Sequence, residues 1–223
     1  FNVSESMIRK DLQRLEKEGK IKRTYGGAIL ERGRAYNENT TSRVFVNIEG
    51  KEHIAKVVCD ILEEEDVIFL DISSTNLTMI RNTTKNITVI TNMNRILMEF
   101  DYSPNIEVIS VGGTFNKRLG GTVGAYTVEQ IKHFNIDKAF VGAGGVNIEE
   151  NFLSNFNFDE SIVKKEILKN SKKNYIVIDD EKFYKDGAHK FGTLEDVDYI
   201  ITDKAPDDTV KVELDKYDVK VIY

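Results

Sequence analysis

The apolar and polar positions divide the chain into two regimes. In the opening stretch Ile8, Leu12 and Leu15 recur at four- and three-residue spacing with Met7 beside them, which predicts one amphipathic helix. Ser4 and Glu5 supply a capping hydroxyl and an acid for its first turn, and Gly19 stands where a left-handed cap would end it. Ile21-Lys-Arg-Thr-Tyr25 then alternates as a strand does and stops at Gly26-Gly27, a turn signal. From Glu31 to Asn47 polar residues dominate and no period is sustained, the pattern of a linker.

A second regime begins near Lys51. Ile54, Val57, Val58, Ile61 and Leu62 form a helical stripe that ends at the acidic run Glu63–Asp66. Short apolar runs follow at Val67–Leu70, Ile87–Ile90, Ile106–Val111, Lys138–Val141, Asn174–Ile178, Tyr199–Ile201 and Val219–Ile222, each predicting a strand. Helical spacings separate them: Leu77 and Ile80; Ile96, Leu97 and Phe100; Val123, Tyr126, Val128, Ile131 and Phe134 on a helix over 122–133; and a helix over 159–170. Alternation with crossovers of this length predicts an α/β fold with a mostly parallel, Rossmann-like sheet covered on both faces.

In such sheets ligands bind off the carboxyl ends of the strands. Here those ends carry Asp71-Ile-Ser-Ser-Thr75, Thr91-Asn92, Gly112-Gly113, Gly142-Ala-Gly-Gly145 and Asp179…Lys182. The first delivers Ser73, Ser74, Thr75 and Asn76 onto a helix start, where free N–H groups and a positive dipole end suit a phosphate or carboxylate. The same hydroxyls can equally serve as helix caps.

Composition narrows the choice. The chain has 223 residues, 40% hydrophobic and 30% charged, enough for one or two soluble domains with a substantial core. No apolar run approaches the roughly 18 residues of a membrane span, so no membrane partner is expected. Cys59, the single cysteine, excludes an internal disulfide framework and fits a reducing cytoplasm; its place on an apolar stripe predicts a buried thiol. Three scattered histidines give no zinc-ligand spacing, and no metal or cofactor is expected. The chain opens on Phe1 with no signal peptide, and residues upstream are expected to be missing. Net charge is −6, but it is unevenly spread: residues 1–34 hold nine Lys/Arg against five Asp/Glu, the remainder 22 against 32. A basic head on an acidic body predicts that the head alone meets a polyanion.

Val3-Ser-Glu-Ser-Met-Ile-Arg-Lys-Asp-Leu-Gln-Arg-Leu-Glu-Lys-Glu18, then Gly19 and Ile21-Lys-Arg-Thr-Tyr-Gly-Gly-Ala28, closely resembles the recognition helix and wing of DeoR-family bacterial repressors. The family pattern is Val-Ser-x-x-Thr-Ile-Arg-Arg-Asp-Leu followed by Arg-x-His-Gly-Gly-Ala, from which this chain departs at Met7, Lys10 and Tyr25. The resemblance implies a winged helix-turn-helix lacking its first helices over residues 1–34, a linker over 35–50 and an effector domain over 51–223. It implies that Arg9, Lys10 and Arg14 contact DNA phosphates or base edges. Ser4 and Ser6 lie at the helix end that enters the groove, and Lys22, Arg23 and Tyr25 lie along the backbone from the wing. A homo-oligomer, dimer or tetramer, on operator DNA is expected, because one such module is small for a specific site.

The body resembles the family's effector domain, whose fold is similar to ribose-5-phosphate isomerase. The family's Asp-Ser-Gly-Thr-Thr corresponds to Asp71–Thr75, with Ser73 in place of glycine. Its Thr-Asn, Gly-Gly and Asp-x-x-Lys-Phe stand here as Thr91-Asn92, Gly112-Gly113 and Asp179-Asp-Glu-Lys-Phe183. Its usual Gly-Leu stands as Asn151-Phe152. The implied effector is a phosphorylated sugar. Ser73, Ser74, Thr75 and the N–H groups around Asn76 would hold its phosphate, with Lys182 as a point charge. Asp71, Asn92 and Asp179 would take sugar hydroxyls, and Gly112 and Gly113 would let backbone approach. Lys164 and Lys165 read as helix-surface charges. The alternative is a sugar-phosphate isomerase. Such enzymes carry Asp-Gly-Ala-Asp-Glu where this chain has Val141-Gly-Ala-Gly-Gly145; the missing carboxylates predict binding without turnover and no catalytic residue.

Overall fold

A computed structural model describes residues 4–17, 21–30, 32–34, 40–79, 83–98 and 104–223. Gly19, Ile80 and Phe100, given above to helix ends or stripes, lie outside these residues, as do 35–39 of the expected linker.

The body is built on a seven-stranded sheet: β1 (Val67–Leu70), β2 (Ile87–Thr91), β3 (Ile106–Ser110), β4 (Ile136–Gly142), β5 (Ser171–Ile178), β6 (Tyr199–Thr202) and β7 (Lys220–Ile222). Its order is β7-β6-β5-β4-β1-β2-β3, and every neighbouring pair runs parallel. Central strands are apolar at almost every position because helices cover both faces. Helix α1 (Ile48–Ile61) buries Ile54, Ala55 and Val58, and helix α2 (Phe158–Lys169) buries Val163, Ile167 and Leu168. Asn157 caps α2 by accepting from the Glu160 N–H at 3.0 Å.

The strand order reverses between β1 and β4, and this switch point opens the crevice in which ligands of such sheets bind. The loops after β1 and β4 touch there, since a Cβ on Gly142 would stand 2.8 Å from Ser73 Oγ. Glycine is what permits that approach.

The sequence reading differs from the structure in several places. Val123 belongs to a strand, Gly121–Val123, paired antiparallel with Thr114–Asn116; the helix runs only Ala125–Ile131. Gly124, at φ 95°, breaks the chain between them, and Tyr126 faces solvent. A small antiparallel sheet of Gly145–Asn147, Phe152–Asn155 and His189–Gly192 is not among the expected elements, its strands being short and one of its two pairings remote. Asn151, at φ 52°, turns the first of these hairpins, which explains how asparagine stands where the family has glycine. Cys59 is half-buried, its thiol near the Met79 carbonyl and pushed up by burial and by Asp60.

At the N-terminal end a helix spans Glu5–Lys17, and a hairpin pairs Ile21–Thr24 with Gly27–Leu30 around Tyr25-Gly26. Beyond it the chain is fastened to the body. Gly33–Arg34 pairs parallel with Lys185–Asp186. The Arg32 guanidinium donates to Asp186 Oδ1 (2.9 Å) and to the carbonyls of Phe183 (2.8 Å), Val146 (2.7 Å) and Lys185 (3.1 Å). The described part of the expected linker is also folded. Thr40–Arg43 is helical, and α1 begins at Ile48 rather than Lys51. The Lys51 ammonium holds this turn by donating to the carbonyls of Arg43 and Val46.

Candidate functional site

A cavity of about 640 Å³ lies at the switch point. Its walls come from the Ser73–Thr75 loop after β1, Gly142-Ala143 after β4, and Val177–Lys182 at the end of β5 and beyond. Glu160 and Lys164 of α2, and Arg43, Asn47 and Lys51 from the chain's entry into the body, complete them. Of the residues expected to bind a phosphorylated sugar, Ser73, Ser74, Thr75, Asp179 and Lys182 line this cavity together. Ser73 Oγ accepts from the Thr75 N–H at 3.2 Å, so that hydroxyl shapes the loop. The Lys182 ammonium sits 3.5 Å from Asp179.

The other expected residues are placed elsewhere. Asp71 lies buried beneath the wall, where Asn76 Nδ2 (2.7 Å) and the Gly142 N–H (3.1 Å) donate to Oδ1 and the Lys164 ammonium meets Oδ2. With its oxygens engaged by the protein, Asp71 holds the site's framework and presents no carboxylate to the cavity. Asn76 is wholly buried and ties β1 to β4 through the carbonyls of Asp71 and Phe140. Asn92 donates to the Thr122 carbonyl at 2.9 Å, holding the 114–123 hairpin. Gly112 is bonded to Thr127 and Gln130, and a Cβ on Gly113 would stand 2.0 Å from Thr127 Oγ1. The structure therefore does not bring Asn92, Gly112 or Gly113 to the cavity wall; their glycines and amide serve the packing of the Ala125–Ile131 helix and its hairpin.

Lys164 corrects the reading of it as a surface charge: it is 2% exposed and flanked by Asp71 and by Glu160 at 3.3 Å, whereas Lys165 is exposed. Burial raises the Asp71 carboxyl above its ordinary value, against the pull of Lys164. Burial lowers the Lys164 ammonium, but two flanking carboxylates outweigh it and leave the group above its ordinary value. A sequence signal existed. Glu160 and Lys164 share one helical stripe with Val163, Ile167 and Leu168, the core-facing one. Lys51 shares a stripe with Ile54, Ala55 and Val58 in the same way and was also missed.

The wall's charges are mostly matched. Lys164, Lys182, Lys185 and Lys204 each lie within ion-pair distance of a carboxylate: Glu160 (with Asp71), Asp179, Glu181 and Asp180 respectively. Arg43 and Lys51 have no such partner among the described residues. Four buried polar atoms of lining residues also lack a hydrogen-bond partner: the donors Arg43 Nε and Asn155 Nδ2, and the acceptors Glu160 Oε2 and Asp179 Oδ1. Buried groups are rarely left so, and here four of them fall on the lining of one cavity. Among the described residues no group of His, Cys, Asp or Glu could hold a metal ion.

The residues expected at DNA are all exposed. Ser4, Ser6, Arg9, Lys10 and Arg14 are exposed on the Glu5–Lys17 helix or just before it, and Lys22, Arg23 and Tyr25 on the hairpin. Ser4 Oγ pairs with Ser6 Oγ at 3.0 Å, and the Arg23 N–H donates to Glu16 at 3.0 Å. No residue of that helix is buried.

Two family models match the chain: the DeoR-like helix-turn-helix domain over residues 1–33 and the DeoR C-terminal sensor domain over 46–204. The HTH-type transcriptional regulator GolR of Listeria innocua is 35% identical over 91% of this chain and 80% of its own. The glycerol-3-phosphate regulon repressor of Escherichia coli is 29% identical over 92% of this chain and 82% of its own. Among solved structures, eIF2B beta of Chaetomium thermophilum superposes with a TM-score of 0.50 at 12% identity, over 76% of this chain and 54% of that one, a likeness of fold. No helix of the described residues is long and apolar enough to cross a membrane.

Proposed function

The chain belongs to the DeoR family of transcriptional regulators, and from that premise we propose that it represses a sugar-catabolism operon in answer to a phosphorylated sugar held at the β1–β4 switch point. Residues 1–34 act as the DNA-binding head, 35–50 as the connection and 51–223 as the effector domain. The protein works in the cytoplasm as a dimer or tetramer on a repeated operator. Arg9, Lys10 and Arg14, with Ser4 and Ser6, meet the groove, while Lys22, Arg23 and Tyr25 follow the backbone.

The observation that carries the effector reading is the set of unmatched buried atoms around one cavity. A phosphate only accepts from nitrogen donors such as those of Arg43 and Asn155. A sugar hydroxyl can donate to Glu160 Oε2 and to Asp179 Oδ1, which has the Lys182 ammonium at 3.5 Å but accepts no hydrogen bond. Ser73, Ser74, Thr75 and the N–H groups around Asn76 complete the phosphate's partners, with Lys182 as a point charge. That a relative is named for a glycerol-3-phosphate regulon supports a phosphorylated polyol. The regulator reading is favoured over the isomerase: Gly142–Gly145 offers no carboxylate, and Asp71 is engaged by Lys164 below the cavity wall.

Calorimetric titration with ribose 5-phosphate, fructose 6-phosphate and glycerol 3-phosphate tests this. Phosphorylated compounds should bind and their unphosphorylated parents should not. Ser74→Ala or Thr75→Ala should weaken binding about ten-fold or more, and Thr75→Asp should abolish it by placing a carboxylate against the phosphate. No isomerisation should accompany binding. Equal binding of parents and esters, or turnover, would overturn the reading.

A further inference from the structure

The cavity has a second charged flank that the hydroxyl loop does not account for. Its residues enter from the segment between the head and the first sheet strand, not from the sheet's strand ends. Arg43 ends the Thr40–Arg43 helix, and Lys51 lies in the first turn of α1. Both line the cavity. The Arg43 guanidinium is oriented by Thr40 Oγ1, which accepts from Nη2 at 3.1 Å, and by the Phe156 ring, 5.5 Å from its centre. Nε is buried and unused. The Lys51 ammonium spends two protons on the carbonyls of Arg43 and Val46, which leaves its third without a protein partner among the described residues. Asn155, next to Phe156 and 2% exposed, keeps a buried amide N–H unmatched on the same wall.

Two buried-side cations without carboxylate partners are out of keeping with the rest of this wall, where each other lysine has one. Burial pulls the Lys51 ammonium below its ordinary value; Asp179 offsets this in part, while the charges of Arg43 and Lys182 add to it. An arriving dianion would relieve that repulsion and satisfy the idle donors together.

We infer that Arg43 and Lys51, with Asn155, are the effector's anion anchor: they bind its phosphate alongside the Ser73–Thr75 loop that lines the same cavity, so the site is completed from the segment that joins the head to the body. This rests on the phosphorylated-sugar reading above and adds to it the residues that discriminate an ester from its parent. Arg43 provides directional donors from a planar group, which lysine cannot replace in kind.

The test is titration of the whole chain with inorganic phosphate and with the three esters named above, comparing wild type with Arg43→Ala, Arg43→Lys, Asn155→Asp and, as a distant surface control, Lys173→Ala. Arg43→Ala should weaken ester binding about ten- to a hundred-fold, Arg43→Lys by an intermediate factor, and Asn155→Asp beyond detection, with phosphate following the same order. Thermal melting of each variant, and of Arg43→Lys above all, separates lost binding from lost folding. If wild type binds the esters and a folded Arg43→Lys and Asn155→Asp bind them within two-fold of wild type, the anchor is wrong while the sensor reading stands. If wild type binds no phosphorylated compound, both fall. Ester binding that is lost in Ser74→Ala yet unmoved in Arg43→Ala places the phosphate on the loop alone and overturns the anchor.

Discussion

At the scale of single residues the site depends on a buried triad. Lys164 lies between Asp71 and Glu160, all of them almost wholly buried, and Asp71 in turn receives Asn76 and Gly142. Removing one member of such a group leaves an unpaired charge in low dielectric, so Lys164→Ala should cost about 3–5 kcal/mol in urea unfolding. Replacing Asp71 and Lys164 together by Asn and Met should cost less than the sum of the single changes, because the charge at Asp71 is then removed with its partner and only Glu160 is left unpaired. A double-mutant cycle that proved additive would show the triad to be independent surface-like charges.

Elements carry the next level of explanation. Phe140, Tyr175 and Tyr199 stack across β4, β5 and β6 with ring centres 4.9 Å and 4.8 Å apart, a ladder set by the parallel register. Burial, with the neighbouring Tyr199 and Asp198, pushes the Tyr175 hydroxyl up to about 12. Its folded value is thus above the unfolded one near 10, so its contribution is complete below pH ~10 and is lost as pH rises through about 12. Urea midpoints measured from pH 9 to 12 should decline over that window, and Tyr175→Phe should flatten part of the decline. Tyr184, also pushed up to about 12 by burial and by Asp207, contributes in the same direction. An unchanged slope in Tyr175→Phe would place the alkaline loss elsewhere.

For the molecule as a whole, the division of charge matters most. Residues 1–34 are basic and the remainder acidic, so an approaching polyanion is drawn to one end and repelled by the other. DNA affinity of the protein should fall steeply with salt, and Arg9→Ala with Arg14→Ala should weaken it and lower the salt slope by about two. Arg9 is only loosely paired with Glu5, at 3.7 Å and well exposed, which is no obstacle to a phosphate. Binding independent of salt and of both arginines would remove the head from the DNA. Connection between the two ends is direct, since the Arg32 clamp grips the 183–186 segment that also bears Lys185 of the cavity wall.

Periodicity determined the parallel α/β fold and the places of all seven sheet strands, because these follow from local alternation. The motif residues of the head determined the family in the same local way. Lys164, read as a surface charge, and Lys51, for which no role was expected, were both legible in principle. Lys51 and Lys164 fall on core-facing stripes, but a charged residue on an apolar face gives no hint of its partner when that partner is remote in the chain. Gly112-Gly113 and Asn92 have the composition of a ligand loop, and only the packing of the Ala125–Ile131 helix and its hairpin against them decided otherwise. The cavity's unmatched atoms at Arg43, Asn155, Glu160 and Asp179 are likewise a tertiary fact. Whether a polar atom is satisfied depends on what the rest of the fold brings within about 3 Å of it, and sequence spacing carries no such distance.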